Sequence, residues 1–212
     1  MEHEYWHEHW ATDRIAFHEP EPHPFLRKHL DHLKLEAGAT LFLPLCGKTL
    51  DIDWLLGEGY RAVGCELNEG AVAQVFERLG LEPQRTEVGS MSRWKAGVLT
   101  IFTGDFFDLT QPMLGPVDGV FDRGSLVALP QTMREAYVPH LVTLAPGAGH
   151  LTVIYDYEQS QTAGPPFSVP FEAVQALFAD THKAERLETR AITGPLAQRC
   201  SGEELAIGLT PR

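Results

Sequence analysis

The sequence predicts an α/β fold with a mostly parallel central sheet and helices on both faces. Short apolar runs of strand length alternate with segments whose apolar residues recur at helical spacing. Glycine and proline stand at many of the junctions between them. Hydrophobic residues make up 43% of the 212 residues, enough for a substantial core. We expect one domain over 1–212, with an N-terminal aromatic lid and helix in 1–35 and the α/β core in 40–212.

The first half of the chain predicts two strand–helix units behind an N-terminal helix. That helix begins at Pro24, has apolar residues at helical spacing and ends before Gly38. Residues 40–43 predict a buried strand, because an apolar run there ends at a proline and a turn. A helix is expected at about 50–56 after this strand. The second strand is expected at 61–66, and its helix at about 69–79.

The second half continues the alternation. Apolar runs at 98–102, 117–121 and 150–155 predict three more strands. Helices are expected at about 131–144, which ends before Pro146, and at 171–178. The tail can form two closing strands.

Charge and cysteine content exclude several classes of function. Twenty-nine acidic and 17 basic residues give a net charge of -12, which repels a phosphate backbone and argues against a nucleic-acid partner. No apolar run approaches the roughly 20 residues of a membrane span. The acidic, aromatic N-terminus does not resemble a signal peptide. The three cysteines have no CxxC pairing, so we expect a reducing, cytoplasmic location.

Four separate stretches are expected at one edge of the sheet, because such sheets bind ligands beyond the carboxyl ends of their strands. They are 44–48, Glu66, 104–106 and 122–123. Gly47 allows close backbone approach in the first turn, and Glu66 follows it at the separation typical of an acid that binds ribose hydroxyls. The alternative for Glu66 is an ordinary exposed glutamate at a strand end.

The first turn favours a nucleoside without a phosphate group. It lacks G-x-G-x-x-G, which disfavours a dinucleotide. Gly47-Lys48-Thr49 echoes the end of a P-loop, but Phe42 stands where that motif needs its first glycine. S-adenosylmethionine is then the commonest ligand on this architecture, by analogy of fold.

Aromatic residues near the N-terminus suggest a lid. Trp6, Trp10 and Phe17 could close over a sulfonium, which an aromatic face attracts by about 0.5–2 kcal/mol. The alternative, which the residues alone favour, is that these rings pack an extra helix onto the sheet.

Three further patterns have competing interpretations. Asp122 and Arg123 either line the site as a pair, with Arg123 binding an anion, or form a surface salt bridge. Residues 3–7 match H-E-x-x-H, but nothing precedes the motif to support a zinc site, and we expect no metal. Cys46 is a possible nucleophile, but without an identifiable partner it is better explained as a small buried residue.

The motifs together resemble the thiopurine S-methyltransferases, particularly their bacterial members. The matching stretches lie in the right order within 5–180 and include Tyr5–Trp10, 15–18, 43–51 with its unusual P-L-C-G-K turn, 63–66, 104–108, 121–123, 156–157 and 164–170. The resemblance implies the Rossmann-like class I methyltransferase fold with an N-terminal helical lid. From about Arg186 the family's usual tryptophan and basic residues are missing, which affects acceptor recognition more than cofactor binding.

The resemblance also implies roles for individual residues. Trp10, Leu45, Glu66 and Arg123 would contact S-adenosylmethionine, and Asp105 and Phe106 would flank its adenine. Phe17 matches a position between cofactor and acceptor, and Arg123 would also reach the acceptor. Acceptors would be aromatic thiols, or selenium and tellurium compounds.

The expected chemistry is in-line displacement by a thiolate or selenolate, which needs no strong general base because such acceptors ionise near neutral pH. Two alternatives stay open: a methyltransferase of the same fold with an oxygen or nitrogen acceptor, and a non-catalytic protein that only binds the cofactor. The physiological acceptor is not encoded in any pattern of the sequence. Nothing in the sequence demands more than a monomer.

Overall fold

A nine-stranded sheet forms the centre of this computed structural model, which describes residues 3–12, 14–15 and 18–212. The strand order is β3-β4-β5-β2-β1-β6-β7-β9-β8. The five strands from β5 to β7 are parallel, and antiparallel pairs close both edges. The strands are β1 (Thr40–Leu43), β2 (Arg61–Glu66), β3 (Gln84–Val88), β4 (Met91–Ala96), β5 (Leu99–Thr103), β6 (Gly119–Arg123), β7 (Gly149–Tyr157), β8 (His182–Ala191) and β9 (Gly202–Pro211).

Seven α-helices lie among the described residues, and local sequence signals set several of their ends. Pro24 opens α2, where its missing N–H costs nothing, and the His23 side chain accepts a hydrogen bond from the Phe25 N–H. Asn68 caps α4 in the same way. The helices are α1 (His3–Ala11), α2 (Pro24–His29), α3 (Asp51–Gly57), α4 (Glu69–Arg78), α5 (Gln111–Leu114), α6 (Gln131–Leu144) and α7 (Phe171–Leu177).

Both faces of the sheet are covered by apolar layers. Alternate residues of a strand point to opposite faces, so Phe42 belongs to one core cluster and Leu41 and Leu43 belong to the other. The first cluster packs under α6 and α7, and the second under α2, α3 and α4. This arrangement confirms the predicted α/β fold with helices on both faces. None of the described helices is long and apolar enough to cross a membrane.

Several predicted elements need correction. The helix from Pro24 ends at His29, continues as a 3-10 turn over Leu30–Leu33 and stops at Lys34, which adopts a left-handed conformation with φ 51°. The strand expected at 117–121 begins only at Gly119 and extends to Arg123. The β3–β4 hairpin was not predicted, because its residues are mostly polar and only Met91 and Trp94 are buried. The two closing strands expected in the tail are present as β8 and β9.

A buried histidine pair lies beneath α7. The ring centroids of His150 on β7 and His182 on β8 are 4.7 Å apart, and the edge of Phe178 packs against both rings. His182 hydrogen-bonds the Ala148 carbonyl at 3.0 Å, whereas neither ring nitrogen of His150 has a partner among the described residues. Burial, with His182 nearby, lowers the pKa of His150 to about 3, so the ring stays neutral.

Candidate active site

The turn after β1 is held in an unusual backbone conformation. Leu45 and Gly47 both have left-handed φ values, 45° and 55°. A branched residue rarely adopts this conformation, and the partly buried Leu45 side chain is anchored against the core cluster beneath α6. The Cys46 N–H donates to the Cys65 carbonyl at 2.9 Å, which fixes the turn to the end of β2.

Glu66 joins this turn to the next strand–helix unit. Its carboxylate accepts hydrogen bonds from the Gly47 N–H at 2.7 Å and from the Asn68 N–H at 2.8 Å, one on each oxygen. The side chain is only 6% exposed, and burial raises its pKa although the backbone donors oppose the rise. A carboxylate has about four acceptor sites, so Glu66 can also accept a hydrogen bond from a ligand hydroxyl. Glu66 is therefore not the ordinary exposed glutamate of the alternative interpretation.

Helix α1 lies over this edge of the sheet. A Cβ atom on Gly47 would sit 3.4 Å from the Trp10 ring, and the Lys48 ammonium lies 5.8 Å from the centre of that ring. At the other end, His3 Nε2 is 2.8 Å from Asp105 Oδ2, after β5. No residue of α1 is buried, and Trp6 packs edge-on against Tyr5 of the same helix. Phe17, predicted to lie beside the acceptor, falls outside the described residues.

Asp105 and Phe106 begin a short 3-10 turn after β5. Asp105 Oδ1 accepts the Phe107 N–H at 2.9 Å and caps the turn. The Phe106 ring is buried and packs against Phe42 and Tyr137. Phe107, which the sequence reasoning did not single out, is the exposed ring at this position. The predicted contact of Asp105 and Phe106 with adenine stays a prediction.

Asp122 and Arg123 neither line the site together nor form a surface salt bridge. Neighbouring residues on a strand point to opposite faces, and Asp122 is fully buried beneath α6, where it accepts a hydrogen bond from the Tyr137 hydroxyl at 2.9 Å. Burial raises its pKa to about 6. Arg123 points to the other face, and its guanidinium lies 2.7 Å from a carboxylate oxygen of Glu19.

Further residues that the sequence reasoning missed lie at the same edge. Ser125 donates to the Pro44 carbonyl at 2.8 Å and so ties the end of β6 to the first turn. His18 is half-buried, and burial together with the nearby cations Lys48, Arg78 and Arg123 lowers its pKa. Tyr155, at the carboxyl end of β7, is close enough to Arg123 for the two to influence each other electrostatically. Contacts between residues so distant in sequence leave no local pattern to find.

The competing motifs do not form sites of their own. Glu4 and the two histidines of the H-E-x-x-H match lie exposed on α1. Among the described residues, no group of three or more potential ligands could hold a metal ion. The Cys46 thiol is buried against Gly64, whose Cβ would come within 2.7 Å of the sulfur. Burial raises the pKa of Cys46 well above its usual value, so it is a small packed residue rather than a nucleophile.

Comparison with known proteins identifies the family. Residues 1–205 match the model of a family described as Thiopurine S-methyltransferase (TPMT). The chain belongs to this family. Proteins named thiopurine S-methyltransferase from Xanthobacter autotrophicus and Gluconobacter oxydans are 46% and 42% identical to it. The alignments cover 96% of both chains for the first, and 94% of this chain and 91% of the relative for the second.

Solved structures confirm the Rossmann-like class I methyltransferase fold. A Burkholderia thailandensis 1,6-didemethyltoxoflavin-N1-methyltransferase with bound S-adenosylhomocysteine superposes with a TM-score of 0.68 at 14% identity, over 98% of this chain and 87% of its own. A TehB-like methyltransferase from Corynebacterium glutamicum gives 0.60 at 12% identity, over 99% and 98%. At such low identities the likeness concerns the fold alone.

This thiopurine methyltransferase family member is an S-adenosylmethionine-dependent enzyme. Its residues fit that cofactor. The Gly47 backbone approaches the Trp10 ring closely, and a buried carboxylate with free lone pairs stands beside it. A turn with a single glycine suits a nucleoside without phosphates.

Proposed function

We propose that this enzyme transfers a methyl group to the sulfur of a small aromatic thiol or thiopurine, and that selenium and tellurium compounds are further acceptors. The names of its relatives support the sulfur acceptor. One observation supports the proposal: a hydrogen bond joins Gly47 of the first turn to the buried Glu66, and the Trp10 ring lies against the same turn.

The proposal assigns roles within that edge. Glu66 binds the ribose hydroxyls, and the left-handed turn with Leu45 and Gly47 supplies backbone contacts. Trp10 covers the turn. Arg123 takes an anionic group. Asp105 and Phe106 flank the adenine and Phe17 faces the acceptor, as the family resemblance implies.

Catalysis in this proposal rests on alignment and exclusion of water. S-adenosylmethionine, when bound, supplies a methyl group on a positively charged sulfur that an acceptor attacks in line. Helix α1, held by the Trp10 contact at one end and the His3–Asp105 contact at the other, keeps water from the reacting atoms. No buried base is needed, because a thiol acceptor reaches the site largely as thiolate. Asp122 and Cys46 face into packed regions and take no part.

Replacing Asp122 with asparagine tests whether a base is used. We expect turnover to stay within about tenfold of the wild type, since Asp122 is buried on the face opposite Arg123 and asparagine can still accept the hydrogen bond from the Tyr137 hydroxyl. The pKa of Asp122 is higher in the folded protein than in the unfolded chain, so on raising the pH the unfolded chain loses this proton first. The stability of the wild type therefore falls as pH rises from about 4 to 6. The variant should lack this fall and be more stable above pH 6 by roughly 1–3 kcal/mol. Turnover reduced by several orders of magnitude with intact cofactor binding would instead identify Asp122 as the proton acceptor.

The deciding experiment for the function is a methyl-transfer assay with S-adenosylmethionine against thiophenols, thiopurines, selenite and tellurite. Transfer to the thiols supports the proposal. Transfer only to oxygen or nitrogen acceptors, with activity falling steeply below neutral pH, would indicate a base-dependent enzyme of the same fold. Binding of the cofactor without turnover of any acceptor would indicate a protein that only binds it.

The proposal also covers the oligomeric state, the location, the class of acceptor and the domain organisation. We expect the protein to act as a monomer in the cytoplasm, since its three cysteines are free and buried. The strongly negative net charge favours a small-molecule acceptor over nucleic acid. Residues 1–35 would serve as lid and helix of a single methyltransferase domain.

A further inference from the structure

The Arg123 guanidinium is nearly buried and already neutralised. Its side chain is 13% exposed, and the Glu19 carboxylate lies 2.7 Å away. Glu19 is more accessible, at 36%, and belongs to the segment that follows the lid helix. Among the described residues it makes no other ion pair. Burying a cation without a counter-charge costs several kcal/mol, so an anion at Arg123 is needed whatever else occupies the site.

The other acid that acts electrostatically on Arg123 is held by the framework. Asp51 accepts the His23 N–H on one oxygen and the Thr49 hydroxyl on the other, at 2.7 and 2.6 Å. Among the described acids that act on Arg123, Glu19 is the one with an accessible carboxylate and a single ion pair, so it is the anion that can leave.

Two more cations, Lys48 and Arg78, act on His18 together with Arg123. Burial lowers the pKa of His18, and the three cations lower it further while Glu19 opposes them. Arg78 is paired with Asp53, whereas Lys48 contacts the neutral Gln74. Among these described cations, Lys48 therefore supplies the positive charge without an ion pair that would attract an incoming anion to this part of the site.

We propose that Glu19 is a specificity-determining residue: its carboxylate pairs with Arg123 and competes for that guanidinium with a carboxylate or oxyanion of the ligand. This inference rests on the proposed function, which puts an anionic group at Arg123. Binding then exchanges one anion for another, so Arg123 is never left unpaired. A ligand without such a group leaves the Glu19–Arg123 pair in place.

Because Glu19 competes for Arg123, it lowers the affinity of the enzyme for anionic ligands selectively. The anion has two candidate sources, the amino-acid carboxylate of S-adenosylmethionine and a carboxylate or oxyanion of the acceptor. Removing the charge of Glu19 should strengthen the binding of whichever ligand carries the anion. It should not change the affinity for a ligand that lacks one.

Isothermal titration calorimetry on Glu19→Gln tests this. S-adenosylhomocysteine has the amino-acid carboxylate, and 5′-methylthioadenosine has the same nucleoside without it. If the cofactor is the source, the variant should bind S-adenosylhomocysteine about three- to tenfold more tightly, with 5′-methylthioadenosine unchanged. If the acceptor is the source, both nucleosides stay unchanged and the KM falls for 2-mercaptobenzoate but not for thiophenol. Glu21→Gln, a change at an exposed neighbour, is the matched control and should have no effect.

Other results would overturn the inference. Weaker binding of S-adenosylhomocysteine by Glu19→Gln would mean that Glu19 helps to hold the ligand. If the affinities for both nucleosides rose equally, the Glu19–Arg123 pair would only restrain the lid. If neither the affinities nor the KM values changed, no exchange of anions would occur. The proposed function fails separately, when the wild type binds S-adenosylhomocysteine but methylates no thiol. The nucleoside titrations still decide the role of Glu19 in that case.

Discussion

Replacement of Glu66 with alanine is expected to weaken the binding of S-adenosylhomocysteine by about 100-fold or more. Each carboxylate oxygen of Glu66 holds one backbone N–H, from Gly47 or Asn68, and each would also accept a ribose hydroxyl. The substitution removes charge-assisted hydrogen bonds worth roughly 1.5–3 kcal/mol each and leaves two donors without partners. The left-handed turn at Leu45–Gly47 then loses its link to Asn68.

Glu66→Gln separates these two effects. The amide keeps the shape of the side chain but turns one acceptor into a donor, which faces the N–H of either Gly47 or Asn68. We expect an intermediate loss of affinity, about tenfold, and a lower melting temperature. Calorimetry and thermal unfolding measure the two quantities, with Glu77→Gln on the exposed face of α4 as the control. An affinity within threefold of wild type for Glu66→Ala would remove Glu66 from the cofactor site.

Replacement of His150 with leucine is expected to remove a large part of the loss of stability at acidic pH. The ring is fully buried, and its pKa is about 3 in the folded protein, against about 6.5 for an exposed histidine. As pH falls below 6.5 the unfolded chain takes up the proton first, so the folded state loses stability progressively down to pH 3. At pH 5 this loss is on the order of 2 kcal/mol.

His150→Leu fills a similar volume and removes two ring nitrogens that have no described partner. The variant should therefore match or exceed wild-type stability at pH 7 and exceed it by about 2 kcal/mol at pH 5. Urea unfolding at a series of pH values gives both numbers. His7→Leu, on the exposed surface of α1, is the matched control and should leave the pH dependence unchanged. Parallel pH profiles for wild type and His150→Leu would show that the histidine is not held neutral.

The features that the sequence predicted correctly are those that depend on residues close together in the chain. Gly47 and Glu66 were identified because a strand, a turn and an acid follow one another at a spacing that the fold imposes, and the structure joins them by a hydrogen bond. The opposite directions of Asp122 and Arg123 also follow from strand alternation. That alternation argues against treating the two residues as a pair.

What the sequence did not predict depends on contacts across the fold. Glu19 and Arg123 lie far apart in the sequence and meet only in the folded protein, so no spacing could reveal the pair. The β3–β4 hairpin was not predicted, because its strands are mostly polar and extend the sheet at its edge. The orientation of Phe106 is set by the packing of Phe42 and Tyr137, residues of β1 and α6.

Helix α1 contributes nothing to the core, and this has a consequence for how the molecule opens. Because none of its residues is buried, the helix can detach at the cost of its few surface contacts, so the free energy of its local opening is far below that of global unfolding. Its amide hydrogens should exchange with solvent orders of magnitude faster than those of β1 or β6. Any molecule that settles beneath Trp10 adds the contacts that the helix lacks by itself. The exchange rate of α1 therefore serves as a gauge of site occupancy that requires neither turnover nor a known acceptor.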